Sequence, residues 1–370
     1  MEKTKRICIF LVLKVIIVMQ INEILYHSPW TSPVSPKKIL VIRLQAFGDV
    51  VITLPYLQAF KSLVPTAQFH FLTRTEFSSL PSNMILFDHV YTIGGGRDIK
   101  RQWFHSIRIL PSLQHERYDI VIDLQRNSMS RTIRRMLQPK SFCEFDRFSL
   151  QTAGERTRQT IEKLGIGHLQ DALPDLNLHD SNAGLNKLYA ANSNPSKKLF
   201  VLNPAGNFVT KNWPLEYYVR FAQTWLETID AQVQFLILGA DSLRTKTGHL
   251  KDRLGDHLIS LIGTTTQAEA FNILYRTDLV LTEDSGLMHL ACAAQVPVVA
   301  LFGSTKSVWS KPWGDFAICL DSSDLECGGC AEPSCRFGDV HCLTRRTPEV
   351  VIKIAQELLL RKKTFVRARR

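Results

Sequence analysis

The sequence lacks a G-x-G-x-x-G turn after any of its strand-like segments, and this disfavours a nicotinamide-linked dehydrogenase. It also lacks zinc-finger, RNP and helix-turn-helix patterns, so its net charge of +11 comes without a nucleic-acid-binding motif. The charge favours phosphorylated substrates or an anionic membrane surface as partners, and we expect no nucleic-acid partner. Eight cysteines in 370 residues do not indicate a secreted disulfide scaffold.

The first 36 residues differ from the rest of the chain. A basic cluster precedes an apolar run, residues 7–21, which Lys14 interrupts. These 15 residues are short for a membrane span of about 20, and no small-x-small cleavage site follows them. Two interpretations stay open: a helix lying on the cytoplasmic face of the inner membrane, and a dispensable extension. Three prolines in residues 28–36 indicate a linker.

A first α/β domain is predicted over residues 37–185. Apolar segments at 39–44, 68–73 and 118–124 are typical of buried strands, and the first two are joined by a segment with a helical pattern. Gly48 permits a sharp turn, and Asp49 falls near the start of that helix. Pro55 either kinks the helix or begins a second one capped by Thr53.

A polar, turn-rich segment around residues 180–198 predicts the boundary between two domains. A second α/β pattern then occupies residues 199–345, before a C-terminal helix and basic tail at 346–370. Its predicted strands cover residues 199–203, 233–238, 258–262, 279–281 and 298–302, and its clearest helices cover 214–226 and 267–275. Repeated strand–helix alternation indicates parallel sheets with right-handed crossovers, and two such domains leave a cleft between them.

The segment 278–303 is the most informative part of the chain. A buried strand, the polar turn Glu283-Asp284-Ser285-Gly286, a helix and another strand form one parallel unit. Ligands in such units bind at the carboxyl ends of strands, facing a helix N-terminus. Free N–H groups from Ser285 to Met288, together with His289, predict a diphosphate site. The alternative is an ordinary turn with Asp284 as a cap and His289 in the core.

Two further segments carry candidate ligand-binding residues. In N-P-A-G-N-F-V-T-K-N-W-P, residues 203–214, the loop after a strand can enclose a phosphate, with Lys211 as a point charge. Asp241 follows another strand, where it is placed to meet a ribose or sugar hydroxyl or to cap a helix. Exposed loop lysines are common, so either segment alone is a weak indicator.

Taken together, these motifs resemble glycosyltransferase family 9, the bacterial ADP-heptose:lipopolysaccharide heptosyltransferases. The resemblance covers about residues 37–360 and rests on I-L-V-I-R-L-Q-A-F-G-D-V-V-I-T-L-P, D-L-Q-R-N, N-P-A-G…T-K-N-W-P and E-D-S-G-L-M-H-L-A…V-P-V-V-A-L-F-G. It implies a GT-B fold, in which two Rossmann-like domains face a central cleft and a C-terminal helix returns to the first domain. It also implies transfer of a sugar with inversion and without a required metal ion.

The resemblance assigns roles to individual residues. Asp49 matches the family's general base, with Lys211 and His289 completing the predicted catalytic set. The predicted donor-binding residues are Asn203, Gly206, Thr210, Lys211, Asp241, Asp284, Ser285, Gly286, Leu287 and His289. For the acceptor we predict Arg126, Asn127 and Arg131, which otherwise form a solvated helix face. The implied partners are a nucleotide-diphosphate sugar and a lipid-linked glycan, the lipopolysaccharide core, with the chain cytoplasmic and peripheral on the inner membrane.

Two alternatives for the function remain at this point. The same fold can use another nucleotide sugar and acceptor, or act as a catalytically silent nucleotide- or glycan-binding protein. A carboxylate at Asp49 together with Lys211 and His289 favours an enzyme. Finally, Cys327, Cys330, Cys335 and Cys342 have a spacing that can hold a structural zinc ion; the alternative is a loop of reduced thiols.

Overall fold

The computed structural model of the chain describes residues 26–170 and 176–368, with side chains as far as residue 364. The predicted membrane-surface helix at residues 7–21 therefore lies outside the described residues. Within the described ranges, no helix combines the length and the apolar character needed to cross a membrane.

The first unit is a five-stranded parallel sheet covered by helices on both faces. Its strands run in the order β3-β2-β1-β4-β5. The elements in chain order are β1 (Lys38–Ile42), α1 (Phe47–Leu63), β2 (Gln68–Arg74), α2 (Ser79–Asn83), β3 (His89–Ile93), α3 (Ile99–His115), β4 (Ile120–Asp123), α4 (Ser128–Leu137), β5 (Ser141–Glu144) and α5 (Ala153–Glu162).

Strand β1 is buried on both faces of this sheet. Ile39 and Val41 belong to the apolar core that includes α1, whereas Leu40 and Ile42 belong to a separate core with α3 and α4. Because side chains alternate along a strand, α1 and α3 lie on opposite faces of the sheet. Helix α1 continues through Pro55 as one element, so the second helix considered in the sequence does not form.

The second unit is a six-stranded parallel sheet in the order β11-β10-β9-β6-β7-β8. Its elements are α6 (Ala183–Ala190), β6 (Lys198–Asn203), α7 (Leu215–Thr228), β7 (Val233–Ile237), α8 (Arg244–Leu254), β8 (Leu258–Ser260), α9 (Gln267–Arg276), β9 (Leu279–Glu283), α10 (Gly286–Ala293), β10 (Val298–Leu301), α11 (Ser307–Ser310), β11 (Ala317–Leu320), α12 (His341–Thr344) and α13 (Pro348–Ala368). All five strands predicted for this unit are present.

Two helices near the predicted domain limits pack on the second unit. Helix α6 crosses the predicted boundary at residue 185, and it packs on α9, with the Gly184 N–H donating to Asn272 Oδ1 at 3.3 Å. In α13, Val351, Ala355 and Leu358 join the core around α7. The described side chains of α13 therefore lie against the second unit, whereas the family resemblance implied a return to the first.

The two units meet where α1 and α10 begin. These helices pack side by side, and a Cβ on Gly286 would lie 2.6 Å from the Phe47 ring and 3.5 Å from the Gly48 backbone nitrogen. Only a residue without a side chain permits this approach at position 286. The carboxyl edges of the two sheets consequently face one cleft, as the sequence predicted.

Candidate active site

The N-terminus of α10 is held by hydroxyl and amide side chains. Ser285 is its N-cap and accepts a hydrogen bond from Met288 N–H at 3.4 Å. Asn203, at the end of β6, donates from Nδ2 to Ser285 Oγ at 2.7 Å and to Thr282 Oγ1 at 2.8 Å. The N–H groups of Gly286 and Leu287 are first-turn groups without an intrahelical acceptor, as at any helix N-terminus. A helix N-terminus with such free N–H groups can bind an anion, and the diphosphate site stays a prediction.

Lys211 reaches the same place from the neighbouring loop. Its Nζ lies 3.0 Å from Asp284 Oδ2, and the side chain is 21% exposed. Thr305 Oγ1 donates to the same carboxylate oxygen at 2.8 Å. Asp284 thus holds Lys211 beside the helix N-terminus, and its own oxygens are occupied by protein donors.

Glu283, which the sequence analysis did not select, organises the 203–214 loop. Its fully buried carboxylate accepts from Gly206 N–H at 2.6 Å and Trp213 N–H at 2.7 Å, and Lys246 Nζ lies 3.6 Å away. Burial raises the pKa of Glu283 to about 7. A Cβ on Gly206 would lie 2.7 Å from this carboxylate, so Gly206 is needed for the loop to close. Glu283 sets the position from which Lys211 extends.

His289 lies one turn into α10 and is 3% exposed. Its Nδ1 is buried and has no hydrogen-bond partner among the described residues. Burial lowers the pKa of His289 to about 4, although Asp284 and Asp49 act in the opposite direction. The imidazole is therefore neutral at pH 7, and it supplies a hydrogen-bonding group and not a fixed charge.

Asp49 stands across the unit boundary from His289. A Cβ on the preceding residue, Gly48, would lie 2.7 Å from His289 Cδ2. The Asp49 carboxylate accepts from Ala46 N–H at 3.0 Å and pairs with Arg43 Nη2 at 2.8 Å, and its side chain is 38% exposed. Asp49 is thus a helix-terminal residue, as predicted, and it is also a solvent-accessible carboxylate beside the α10 N-terminus.

The D-L-Q-R-N segment supports the loop that carries Asp49. Gln125 Oε1 accepts from Leu44 and Gln45 N–H groups at 2.9 and 3.0 Å. Buried Asp123 in turn accepts from Gln125 N–H at 3.0 Å and from Ser130 Oγ at 2.9 Å, and burial raises its pKa to about 6. This segment therefore fixes the loop that carries Asp49.

Two of the three predicted acceptor-binding residues, Asn127 and Arg131, have a helix-capping or a buried partner inside the first unit. Asn127 caps α4, accepting from Ser130 N–H at 2.9 Å. Arg131 is 4% exposed and forms a bidentate pair with fully buried Glu144, at 2.8 and 3.2 Å. Arg131 is therefore not the solvated residue of our alternative interpretation, and its geometry favours a structural role.

A cluster of arginines begins at Asp49: Arg43 and Arg156 lie near its carboxylate, and hydrogen bonds to backbone carbonyls link Arg156 to Arg147 and Arg147 to Arg126. Arg126 lies 3.7 Å from Asp146 and its guanidinium is over the Phe148 ring. Arg156 donates to the Arg147 carbonyl at 3.3 Å, and its buried Nε has no partner among the described residues. Its pKa is lowered by burial and raised by the charge of Asp49. Of the predicted acceptor residues, Arg126 is the one that joins this cluster.

Two further residues predicted to bind the donor, Thr210 and Asp241, differ in their exposure to solvent. Thr210 is 2% exposed, and its hydroxyl contacts Ser304 Oγ at 3.0 Å and the Glu332 carbonyl at 2.5 Å, so it fixes the loop. Asp241 is exposed at the carboxyl edge of the second sheet and pairs with Arg244 at 2.6 Å. Asp241 is thus accessible to a nucleotide, whereas the Thr210 side chain is not.

An apolar cavity of about 540 Å³ adjoins this site between the two units. It is lined by Ile52 and Tyr56 of α1, by Cys292 of α10, and by Trp309 and Trp313. Ser310, also in its wall, lies 3.4 Å from Asp284 Oδ1. Its lining suits the apolar faces of a ligand, whereas the groups suited to a diphosphate lie at the α10 N-terminus.

The four clustered cysteines lie in the loop between β11 and α12 and at the start of α12. All four are free thiols, and Cys335 Sγ lies 3.9 Å from Asp339 Oδ1. Across residues 26–170 and 176–368, no three His, Cys, Asp or Glu side chains are arranged to hold a metal ion. A structural zinc stays a prediction for metal analysis.

The comparisons with known proteins agree with this geometry. The model of the family "Glycosyltransferase family 9 (heptosyltransferase)" matches residues 107–341. The lipopolysaccharide heptosyltransferase 1 of Pseudomonas aeruginosa is 24% identical, over 89% of this chain and 99% of that protein. Two solved structures are similar to this chain. A family 9 glycosyltransferase from Veillonella parvula has a TM-score of 0.77 and 18% identity, and the match covers 89% of this chain and 99% of that one. Escherichia coli ADP-heptose lps heptosyltransferase II has a TM-score of 0.71 and 17% identity, and the match covers 88% of this chain and 99% of that one. They confirm the predicted fold.

Proposed function

The chain belongs to glycosyltransferase family 9, and from that premise we propose that it moves a heptose from ADP-heptose onto a lipopolysaccharide core acceptor with inversion at the anomeric carbon. That it is a nucleotide-sugar glycosyltransferase follows from the family itself. The donor and acceptor are inferred from relatives that bear these names and from the chemistry of the site.

One observation carries the proposal: a solvent-accessible carboxylate and an anion-binding helix terminus meet across the cleft. Asp49 lies in the first turn of α1, and Ser285 caps α10 beside it. Gly48 and Gly286 bring the two helix ends together, as their close contacts with His289 and Phe47 require. A sugar whose diphosphate lies on the α10 N-terminus therefore has its anomeric carbon in reach of the Asp49 side of the cleft.

In the proposed reaction Asp49 takes the proton of the acceptor hydroxyl as its oxygen attacks the anomeric carbon. The new carbon–oxygen bond forms on the face opposite the diphosphate, the bond to the diphosphate oxygen breaks, and ADP leaves with the electron pair. Arg43, 2.8 Å from Asp49, holds the carboxylate in a fixed orientation. General-base catalysis of this kind typically contributes 10²–10⁴-fold.

The leaving ADP is stabilised by Lys211 and by the first-turn N–H groups of α10. Negative charge on the leaving oxygen grows in the transition state, so donors aimed at it lower the barrier more than they tighten substrate binding. Lys211 is already held beside this position by Asp284, at 3.0 Å. We propose that these groups replace a metal ion, so that a chelator leaves turnover unchanged.

The acceptor side suits an anionic glycan. The cluster of Arg43, Arg126, Arg147 and Arg156 exceeds its two acids, Asp49 and Asp146, by two charges. The Arg156 Nε has no partner among the described side chains. This guanidinium can therefore bind a carboxylate or phosphate of the acceptor glycan without losing an existing ion pair. A lipopolysaccharide core carries such groups.

We also propose that the chain works at the cytoplasmic face of the inner membrane, where a lipid-linked acceptor would lie. The basic net charge and the apolar run at residues 7–21 support this location.

The test is transfer itself. Purified protein is incubated with ADP-heptose and a core acceptor that lacks heptose, and the acceptor mass is measured. We expect an increase of one heptose unit with ADP-heptose and none with UDP- or GDP-sugars. Transfer from another nucleotide sugar alone would replace the donor assignment. Donor binding without transfer to any core acceptor would favour a silent binding protein.

A further inference from the structure

Helix α3 turns large apolar side chains toward solvent. Ile99, Phe104 and Ile107 are 66%, 63% and 66% exposed, while Leu110 and Leu113 of the same helix are buried in the core of the first unit. Such residues are normally covered, and an exposed group of them marks an interaction site.

The same surface is basic. Lys100, Arg101 and Arg108 lie among the apolar residues, and α3 contains no Asp or Glu. Arg101 pairs only with the cap residue Asp98, at 3.5 Å, and no described acidic side chain lies within ion-pair distance of Lys100 or Arg108. At 100° per residue, these three cations and the three apolar side chains span about 200° of the helix circumference. We call these six residues the α3 face.

The α3 face lies away from the second unit. Helix α3 covers the side of the first sheet opposite α1, and α1 is the helix that packs on α10. The turn before α3 is nevertheless tied to the active site, because Arg74 donates both to the Gly96 carbonyl and to Gln45 Oε1, four residues before Asp49. A partner on the α3 face would therefore sit beside the acceptor side of the cleft and leave the cleft open.

We propose that the α3 face docks the enzyme on an anionic lipid surface. Apolar side chains interleaved with lysine and arginine enter the headgroup boundary of a bilayer, while the cations remain at the level of the phosphates. A second copy of this chain fits less well, since a two-fold contact would oppose three cations to three cations. This inference rests on the proposed function, because that function supplies the lipid-linked acceptor that brings the enzyme to a membrane.

The experiment uses the full chain and sedimentation with vesicles of phosphatidylcholine, with and without phosphatidylglycerol. One double variant changes the α3 face, Lys100→Gln with Phe104→Ser. A matched control on α13 changes Lys353→Gln with Leu360→Ser, since Leu360 is also 63% exposed and Lys353 is an exposed lysine. Melting temperature and circular dichroism confirm that both variants are folded.

We expect the parent to bind the anionic vesicles more tightly than the neutral ones. The α3 variant should lower the partition coefficient on anionic vesicles by about tenfold or more, and the control by less than about twofold. If residues 1–21 and the α3 face contact the membrane at the same time, their contributions to the partition coefficient multiply. The loss in the α3 variant is therefore measurable even where residues 1–21 also bind lipid.

Three results would overturn the inference: equal losses in both variants, no loss in the α3 variant, or a change in oligomeric mass without a change in vesicle binding. Turnover on a soluble, lipid-free acceptor is measured in parallel. Transfer to that acceptor tests the proposed function separately from membrane docking, because the α3 face is not part of the catalytic site.

Discussion

The carboxylate of Asp49 is fixed by a guanidinium from the strand end below it, with Arg43 Nη2 2.8 Å from Asp49 Oδ2. Arg43 is nearly buried, whereas the Asp49 side chain is 38% exposed. The pair therefore leaves the carboxylate open to the cleft while holding its orientation. If the pair is purely structural, substitution of Asp49 should change stability, whereas if Asp49 is a positioned general base, it should change turnover.

Asp49→Asn should lower turnover by roughly 10²–10⁴-fold with little change in donor affinity, because asparagine cannot accept the acceptor's proton. The Oδ1 atom of an asparagine can still accept the hydrogen bond from the Ala46 N–H that Asp49 accepts in the parent. The variant also leaves the nearly buried Arg43 without its carboxylate, so we expect some fall in the melting temperature, which is measured separately from turnover. The measurements are steady-state kinetics, ADP binding and thermal unfolding. Near-parental turnover would remove Asp49 from the mechanism.

Lys211→Ala should weaken ADP binding by roughly 1.5–3 kcal/mol, the range of a hydrogen bond to a charged group. The variant also leaves Asp284 without its cation, so a fall in stability is expected alongside. Asp284→Asn is the informative companion: it removes the same ion pair but keeps Lys211 positive for the diphosphate. Calorimetry with ADP on both variants and on Lys353→Ala separates these effects. Equal ADP affinity in Lys211→Ala and parent would place the diphosphate elsewhere.

Arg156 and Arg131 should respond differently to the same substitution. Arg156→Gln is expected to raise the acceptor KM by roughly 10- to 100-fold at nearly unchanged stability, since it loses a charged contact to the acceptor. Arg131→Gln should instead lower stability by about 3 kcal/mol, because Glu144 is fully buried and keeps only Arg134. Acceptor kinetics and urea unfolding on both variants make the comparison. A raised KM in Arg131→Gln without loss of stability would restore the acceptor role predicted from sequence.

Much of the fold could be predicted because parallel strands buried on both faces appear as short apolar runs. Residues 39–44, 118–124 and 279–281 all became strands of the two sheets. Strands β3, β5 and β11 were not predicted. All three lie at sheet edges; His89–Ile93 and Ala317–Leu320 are only partly buried, and Ser141–Glu144 is only four residues long. Their apolar patterns are correspondingly weak.

The site was predictable where the sequence marks it locally and not where tertiary contacts create it. Ser285 and Lys211 stand in loops after strands, where ligand-binding residues are expected. Glu283 was predicted to lie in a polar turn, and nothing adjacent in the sequence shows that it ends a strand and accepts the Gly206 and Trp213 N–H groups. The partner of Arg131, Glu144, is likewise 13 residues away, so the pairing depends on how α4 packs against β5.

If the four cysteines hold a structural zinc, protein purified without chelators contains about one zinc ion per chain. Removing the metal should then lower the melting temperature while turnover at lower temperature stays the same, because the cluster lies outside the catalytic site. A zinc content near zero, with Cys330 reacting readily as the most exposed of the four, would establish a loop of reduced thiols.

The neutral imidazole of His289 should make stability depend on pH in a definite direction. Its pKa is about 4 in the folded chain and about 6.5 when unfolded, because burial disfavours the charged form. Between these values the unfolded chain binds more protons than the folded one, so protonation favours unfolding. The contribution of His289 is therefore fully present above pH 6.5 and is lost as the pH falls toward 4. Between pH 7.5 and 4.5 the loss amounts to about 2–3 kcal/mol.

His289→Gln keeps a polar side chain of similar reach but does not titrate, so it isolates this term. Urea unfolding of parent and variant at pH 7.5 and 4.5 should show a fall in unfolding free energy that is about 2–3 kcal/mol larger for the parent. Other groups titrate equally in both proteins and cancel in the difference. An equal fall in the two proteins would mean that the pKa of His289 is the same in the folded and the unfolded chain, and a smaller fall in the parent would mean that the folded chain holds the imidazole as a cation. The imidazole would then act on the departing diphosphate as a cation, alongside Lys211.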